Sequence, residues 1–235
     1  MMFKNNSLYF LSCWHNSCNS ELRILNRSFI MLAKQLVILA NSNKHGNRCV
    51  AGKCLSTGQW IRPVSTIGGG ALSLNQIRCR NPHGLFPATN LQRVIVGLDC
   101  HAPLVNQPEN HLIAANSEWQ QNFKINATQL PQLLDNPISL WGEGNSVSYA
   151  AIQQNKIRIN QSLFLVQTKS LSFYTSDHGK PRAIFSYKNV SYDLPVSDPN
   201  YSAIVRDKRD LKGILCISLG EDFNGSCYKL VASIY

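Results

Sequence analysis

The chain has 235 residues, enough for one large domain or two small ones. Hydrophobic residues make up 44% of it and charged residues 15%, a composition that favours a folded, turn-rich and strand-rich protein over a disordered one. No apolar run approaches the ~18 residues of a membrane span, and the start of the chain does not resemble a secretory signal. We therefore expect a cytoplasmic protein with mostly reduced thiols and no membrane partner.

The net charge of +10 is unevenly distributed along the chain. Residues 31–98 carry eight basic and no acidic side chains, whereas residues 99–150 carry one basic and five acidic ones. A surface without carboxylates suits a polyanionic partner, because carboxylates would repel phosphate groups. Chance is the alternative explanation, since the chain is poor in acids throughout.

Residues 1–30 differ from the rest of the chain. They are rich in Asn and Ser, show no clear hydrophobic period, and end just before Met31. We expect them to be either an over-extended gene model or a disordered extension, so the pair Cys13 and Cys18 within them carries no weight.

Three short apolar segments follow, at residues 36–40, 50–52 and 59–62, and each is typical of a strand. Ser56, Thr57 and Gly58 predict the turn between the last two, and residues 91–98 predict a further strand. Strands with cations at their bends are typical of small β-barrels that bind nucleic acid. The sequence thus predicts a barrel over residues 31–105.

The second half changes character twice. Residues 106–154 are acidic and contain a predicted short helix at 127–134, which indicates a bridging segment. From residue 155 the alternating pattern of strands returns, and Lys188-Asn189 predicts a two-residue hairpin turn between 181–187 and 190–194. We expect a second barrel over residues 155–235.

Five blocks of the sequence match a known family: ILANSNKHGNRCVAGK, GQWIRPVS, QPENHLI, RAIFSYKNVSYDLPVSDP and LCISLGEDFNGSCYKLVASI. From about residue 34 to its end the chain resembles the prokaryotic dual OB-containing domain family. The resemblance implies a mainly β protein with two OB-like β-barrels in tandem and a small α-containing bridging segment. It implies no catalytic activity; by analogy with other OB folds it implies nucleic-acid recognition, with prokaryotic genome defence as the setting.

The candidate binding residues are cations interleaved with aromatic side chains, the combination that OB folds use for single strands. We expect the first barrel to dominate, with Trp60 and Arg62 on one strand face. The alternative is that Trp60 and Tyr187 are core residues and the cations are solvated. The candidates are Lys44, His45, Arg48, Lys53, Trp60, Arg62, Arg78 and Arg80 in the first barrel, and Arg182, Tyr187 and Lys229 in the second.

Other chemistry has weaker sequence support. The spacing of Cys49, Cys54, Cys79 and His83 is compatible with a zinc site but is not the one that structural zinc sites prefer. Cys54 also follows the alternation of a strand, which favours a packing role for its side chain. Thiol chemistry at Cys49 with His45, or at Cys100 with His101, rests on proximity in sequence alone.

We therefore expect a non-catalytic module without cofactor or metal that binds nucleic acid, single-stranded DNA or RNA being favoured. The alternatives, in order, are a module for protein interaction or for sensing a small molecule or nucleotide, and an enzyme that processes nucleic acid.

Overall fold

The computed structural model describes residues 23–26, 29–207, 211 and 213–235. Most of the predicted N-terminal extension, including Cys13 and Cys18, lies outside these residues. Within them the protein is mainly β, as predicted, with two short α helices, α1 (Tyr149–Gln153) and α2 (Tyr201–Arg206), and a 3-10 helix (Ala127–Leu133). The strands are β1 (Arg23–Asn26), β2 (Phe29–Lys44), β3 (Asn47–Cys54), β4 (Trp60–Val64), β5 (Arg78–Asn81), β6 (Gly84–Pro87), β7 (Gln92–His101), β8 (Asn110–Ile113), β9 (Trp119–Lys124), β10 (Ser146–Ser148), β11 (Leu163–Gln167), β12 (Lys169–Thr175), β13 (Pro181–Tyr187), β14 (Val190–Pro195), β15 (Ile214–Phe223) and β16 (Ser226–Ile234).

The first barrel is a closed ring of five strands in the order β2, β3, β4, β8, β7 and back to β2. Only the β4–β8 pair is parallel, and the remaining pairs of the ring are antiparallel. An OB fold has this arrangement: a long first strand begins a three-strand meander, and a parallel pair of strands closes the ring. A bulge between Ile38 and Ala40 bends β2, so that its first half pairs with β7 and its second half with β3.

The remaining strands of this half extend the barrel. The β5–β6 hairpin follows β4 and precedes β7 in the sequence, but it lies at the edge of the sheet. Strand β9 lies between β7 and β5 and joins the hairpin to the barrel. Both β8 and β9 belong to this sheet, although they lie in the stretch predicted as a bridge. The bounds 31–105, 106–154 and 155–235 for the two barrels and the bridging segment remain predictions from the sequence.

The second half repeats the OB arrangement in two hydrogen-bonded sheets. The chain passes from β11 into β12 at Thr168, so one bent strand pairs with β15 at its start and with β13 at its end. Strands β12, β13 and β14 form a meander, and a parallel bridge between Val196 and Val231 joins its end to β16. Helix α2 lies between β14 and β15 in the sequence. The two predicted OB-like barrels are therefore confirmed.

The hairpin between β13 and β14 illustrates how the local sequence specifies this meander. Lys188 and Asn189 both have positive φ, 46° and 68°, as a two-residue hairpin turn requires. Tyr187 pairs with Val190 across the turn, in the predicted register. The register places Phe185 and Tyr187 in the core and leaves Arg182 and Ile184 on the outer face.

The two barrels pack against each other through a buried apolar cluster. The first barrel contributes the outer side of β2, β3 and β4, and the second contributes β11, β15 and β16. The described part of the chain has no helix with the length and hydropathy of a membrane span. The members of this cluster include Val37, Leu39, Trp60, Leu165, Ile214 and Cys216.

Candidate functional site

The outer face of the second and third strands is the usual binding surface of an OB fold. In the first barrel these strands are β3 and β4, and they carry Lys53, Trp60 and Arg62. Trp60 is only 5% exposed, and its Nε1 donates a hydrogen bond to Asp135 Oδ2 over 3.0 Å. Lys53 Nζ donates to Asp135 Oδ1 and to the Leu133 carbonyl, each over 2.7 Å.

Arg62 is 7% exposed and lies in a polar network between the barrels. Its Nη2 donates to Glu109 Oε1 over 3.2 Å, to Ser162 Oγ over 2.8 Å and to Ser218 Oγ over 3.3 Å. Ser162 in turn donates to Glu109 from both its backbone N–H and its hydroxyl. The second barrel thus supplies partners for a cation of the first.

These contacts correct the prediction that Lys53, Trp60 and Arg62 form an exposed groove. The second barrel covers the face that carries them, because its β11, β15 and β16 bury apolar surface against Trp60 and its neighbours. The alternative reading of Trp60 as a core residue is the one that the structure supports. A strand of nucleic acid would reach these three residues only if the barrels separated.

Three other predicted residues stay together at the β2–β3 turn. His45 is exposed at the tip of this turn, with a φ of 47°. Lys44 is partly exposed and forms an ion pair with Glu221 of β15. Arg48 is half-buried beside them and lines a cleft between the barrels.

Arg78 and Arg80 lie on a different hairpin, formed by β5 and β6. Arg78 Nη2 donates to the Leu85 carbonyl over 2.8 Å. Arg80 is exposed, and its Nη2 donates to Glu118 Oε2 over 2.8 Å. Both side chains therefore have partners within the first half of the chain.

The predicted patch on the second barrel is mostly internal, which corrects the placing of Tyr187 and Lys229 on its surface. Lys229 is fully buried, and its Nζ donates to the carbonyl oxygens of Gly142, Glu143 and Gly144 over 2.7 to 3.2 Å. Burial lowers the pKa of Lys229 to about 8. The Tyr187 ring is buried and its hydroxyl donates to the Pro137 carbonyl over 2.8 Å. Both side chains thus stabilise the segment before α1.

The second barrel has an open outer face, which sequence reasoning found only in part. Arg182 lies on it, with Tyr174 and Ile184, whose exposed fractions are 37% and 40%. Alternation along β12 was the signal that could have singled out Tyr174, since Phe173 beside it points to the core. We call this surface the β12–β14 face; its members are Ser172, Tyr174, Arg182, Ile184, Ser191 and Asp193.

Hydrogen bonds fix the polar part of the β12–β14 face. Asp193 accepts from the Tyr174 hydroxyl and from Arg182 Nε, each over 2.7 Å. Burial raises the pKa of Asp193, but the hydrogen bonds from Arg182 and Tyr174 outweigh it and the net shift is downward. Asp193 therefore stays ionised near neutral pH and holds the phenol and the guanidinium side by side.

The two barrels described above agree with a family model that the chain matches, that of the dual OB-containing domain, over residues 34–234. The chain belongs to this family. No curated protein and no solved structure matches it. In this dual OB-containing domain one OB face is therefore buried between the barrels, and the other is exposed.

The cysteines of the dual OB-containing domain do not converge on a metal site. Cys54 and Cys79 lie in the core of the first barrel. Across residues 32–207 and 213–235, no group of three or more His, Cys, Asp or Glu side chains is placed to hold a metal ion. Burial raises the pKa of the Cys49 thiol, which disfavours the thiolate that nucleophilic chemistry requires.

Two histidine rings are in contact beside the buried Glu109, tilted by 41° to each other. The rings of His101 and His111 lie 4.7 Å apart, and His111 Nδ1 donates to the Glu109 carbonyl over 2.9 Å. Burial lowers the pKa of His111 below its ordinary value of 6.5, and the positive charges of His101 and Lys34 add to this effect.

We expect His111 to make stability depend on pH. Below about pH 6.5 the unfolded chain binds the proton that folded His111 resists, so the free energy of unfolding falls as the pH falls towards the folded pKa. Urea unfolding between pH 7.5 and 5.5, a range chosen to span about one unit on each side of that value, should show a shallower decline for His111→Gln than for the wild type. His83→Gln, at an exposed turn, controls for the loss of an imidazole, and equal slopes for all three proteins would contradict this expectation.

Proposed function

We propose that this dual OB-containing domain binds single-stranded nucleic acid on the β12–β14 face. The observation that carries the proposal is that the first barrel's OB face is buried, whereas the equivalent face of the second barrel is exposed. OB folds bind single strands on this face by stacking bases on aromatic rings and by contacting phosphates with cations.

The β12–β14 face has both components. Tyr174 presents a ring whose hydroxyl is held by Asp193, so little rotational freedom is lost when a base stacks on it. Arg182 lies opposite Tyr174 in the neighbouring strand. Exposed Lys169 and Lys180 stand at the start of β12 and in the turn before β13, where they can contact the phosphate backbone.

The test is fluorescence anisotropy of labelled single- and double-stranded oligonucleotides titrated with the full chain. We expect single strands to bind more tightly, with an affinity that falls steeply as salt is raised. Tyr174→Ala should weaken binding about tenfold, because a stacked base contributes ~1–3 kcal/mol and about 1.4 kcal/mol is a factor of ten.

Matched variants separate stacking from other effects. Tyr174→Phe removes only the hydroxyl and should keep most of the affinity. Phe123→Ala removes an aromatic ring that is also well exposed but lies on β9 of the first barrel, and it should bind like the wild type. Absence of binding at low salt, or equal losses for Tyr174→Ala and Phe123→Ala, would refute the proposal.

A further inference from the structure

A cleft of about 180 Å³ lies between the two barrels, at the end of the interface near the β2–β3 turn. The first barrel lines it with Lys44, Arg48, Arg62 and the loop at Gly69 and Gly70, and the second lines it with Glu221. This cleft is formed by residues other than those of the β12–β14 face.

Both arginines in the cleft have donors that the protein does not satisfy. Among the described residues, Arg48 Nη1 and Arg62 Nε are buried and lack a hydrogen-bond partner. Arg62 uses its Nη2 on three acceptors, whereas no ion pair within the described part of the chain joins Arg48 to a carboxylate. Buried donors without acceptors are costly, so a rotation of either guanidinium group that brings its unsatisfied donor to an anion in the cleft gains a hydrogen bond that the protein alone does not make.

The charge of the lining favours an anion. Its charged members are Lys44, Arg48, Arg62 and Glu221, and Glu221 is already paired with Lys44. The same field acts on Cys49 in the cleft wall: burial raises the pKa of its thiol, and the charges of Arg62 and Lys44 oppose that rise. Arg62 is likewise paired with Glu109, so among the described residues Arg48 is the cation of the lining without a carboxylate partner.

Size and geometry narrow the class of ligand. A guanidinium group presents parallel N–H donors that match a phosphate group in a bidentate contact. Drug-sized ligands occupy pockets of roughly 300–1,000 Å³, so 180 Å³ suits a phosphate group with a small organic part. We propose that the cleft between the barrels binds a small phosphate monoester, with Arg48 as its main contact and Lys44 at the mouth.

The experiment measures binding of two probes, inorganic phosphate and a nucleoside monophosphate, by thermal shift and titration calorimetry on the full chain. Chloride at equal ionic strength is the reference. A ligand that binds only the folded state raises the melting temperature, and the increase grows with the logarithm of the ligand concentration once that concentration exceeds Kd. We expect either probe to raise it, and Arg48→Gln to weaken binding at least tenfold.

Arg158→Gln is the matched control, because Arg158 is exposed outside the cleft and its replacement changes the net charge by the same amount. Tighter binding of the monophosphate than of phosphate would show that the organic part also contacts the cleft, and equal binding would assign the affinity to the phosphate group; both support the proposal. Equal melting temperatures in phosphate, monophosphate and chloride would overturn it, and so would equal losses for Arg48→Gln and Arg158→Gln.

This inference is separate from the proposed function. Tyr174→Ala should keep its response to phosphate while losing affinity for single strands, and Arg48→Gln should show the opposite pattern. Failure of one proposal is therefore distinguishable from failure of the other.

Discussion

Replacing Arg62 with alanine is expected to lower the free energy of unfolding by about 3–5 kcal/mol, the usual cost of breaking a buried ion pair by removing one partner. The side chains of Arg62 and Glu109 are 8% and 6% exposed, so the remaining carboxylate would stay in a poorly solvated site. Arg62 also joins the barrels through Ser162 and Ser218, and both hydroxyls would lose a donor. Urea denaturation followed by circular dichroism measures the loss.

Two further variants test the cause of this loss. The double variant Arg62→Met with Glu109→Gln removes both charges and should lose less than Arg62→Ala, because no uncompensated charge stays buried. Arg80→Ala breaks the exposed pair with Glu118 and should have a much smaller effect. If Arg62→Ala were no more destabilising than Arg80→Ala, the Arg62 network would not be desolvated as the structure shows.

Replacing Asp135 with alanine should be about as destabilising, again about 3–5 kcal/mol. Its carboxylate accepts from Lys53 Nζ and Trp60 Nε1, and from the Leu165 backbone N–H over 2.8 Å. It thereby connects the segment after the 3-10 helix to β3 and β4 of the first barrel and to β11 of the second. Without it, a buried ammonium group would keep only the Leu133 carbonyl, and two N–H groups would lack an acceptor.

The salt dependence of this loss distinguishes a buried pair from a surface pair. Salt screens buried charges only weakly, so the effect of Asp135→Ala should be nearly the same in 0.05 and 1 M sodium chloride, values chosen to span Debye lengths of about 14 and 3 Å. Glu221→Gln breaks the partly exposed pair with Lys44 and is the control, with a small effect that shrinks as salt is raised. A strong salt dependence for Asp135→Ala would contradict the buried position of Lys53 and Asp135.

Local patterns in the sequence were enough to predict most of the strands. Residues 36–40 lie within β2, and Lys188-Asn189 forms the turn between β13 and β14, because hydrophobic alternation and turn residues act over a few neighbours. The same alternation put Phe185 and Tyr187 on one side of β13 and Arg182 and Ile184 on the other. The resemblance to the dual OB-containing family implied the pair of barrels, which the structure confirmed.

The candidate site could not be predicted to the same extent. Alternation shows that Trp60 and Arg62 share a face, but it does not show what covers that face. The partners of Arg62 are Glu109, Ser162 and Ser218, which lie 47, 100 and 156 positions away along the chain. The residues around Lys229 likewise do not indicate that its ammonium group binds three carbonyl oxygens, which lie 85 to 87 positions away along the chain.

The sequence by itself determined most of the strands and turns, the side chains that share a face of a strand and, through the family resemblance, the two barrels. Only the tertiary structure decided which cations are free to meet a ligand. The packing of β11, β15 and β16 on the first barrel removed Lys53, Trp60 and Arg62 from the surface and left the β12–β14 face exposed. The physical reason is that a cation's availability depends on long-range packing and on distant carboxylates and carbonyls, whereas strand patterns depend on near neighbours.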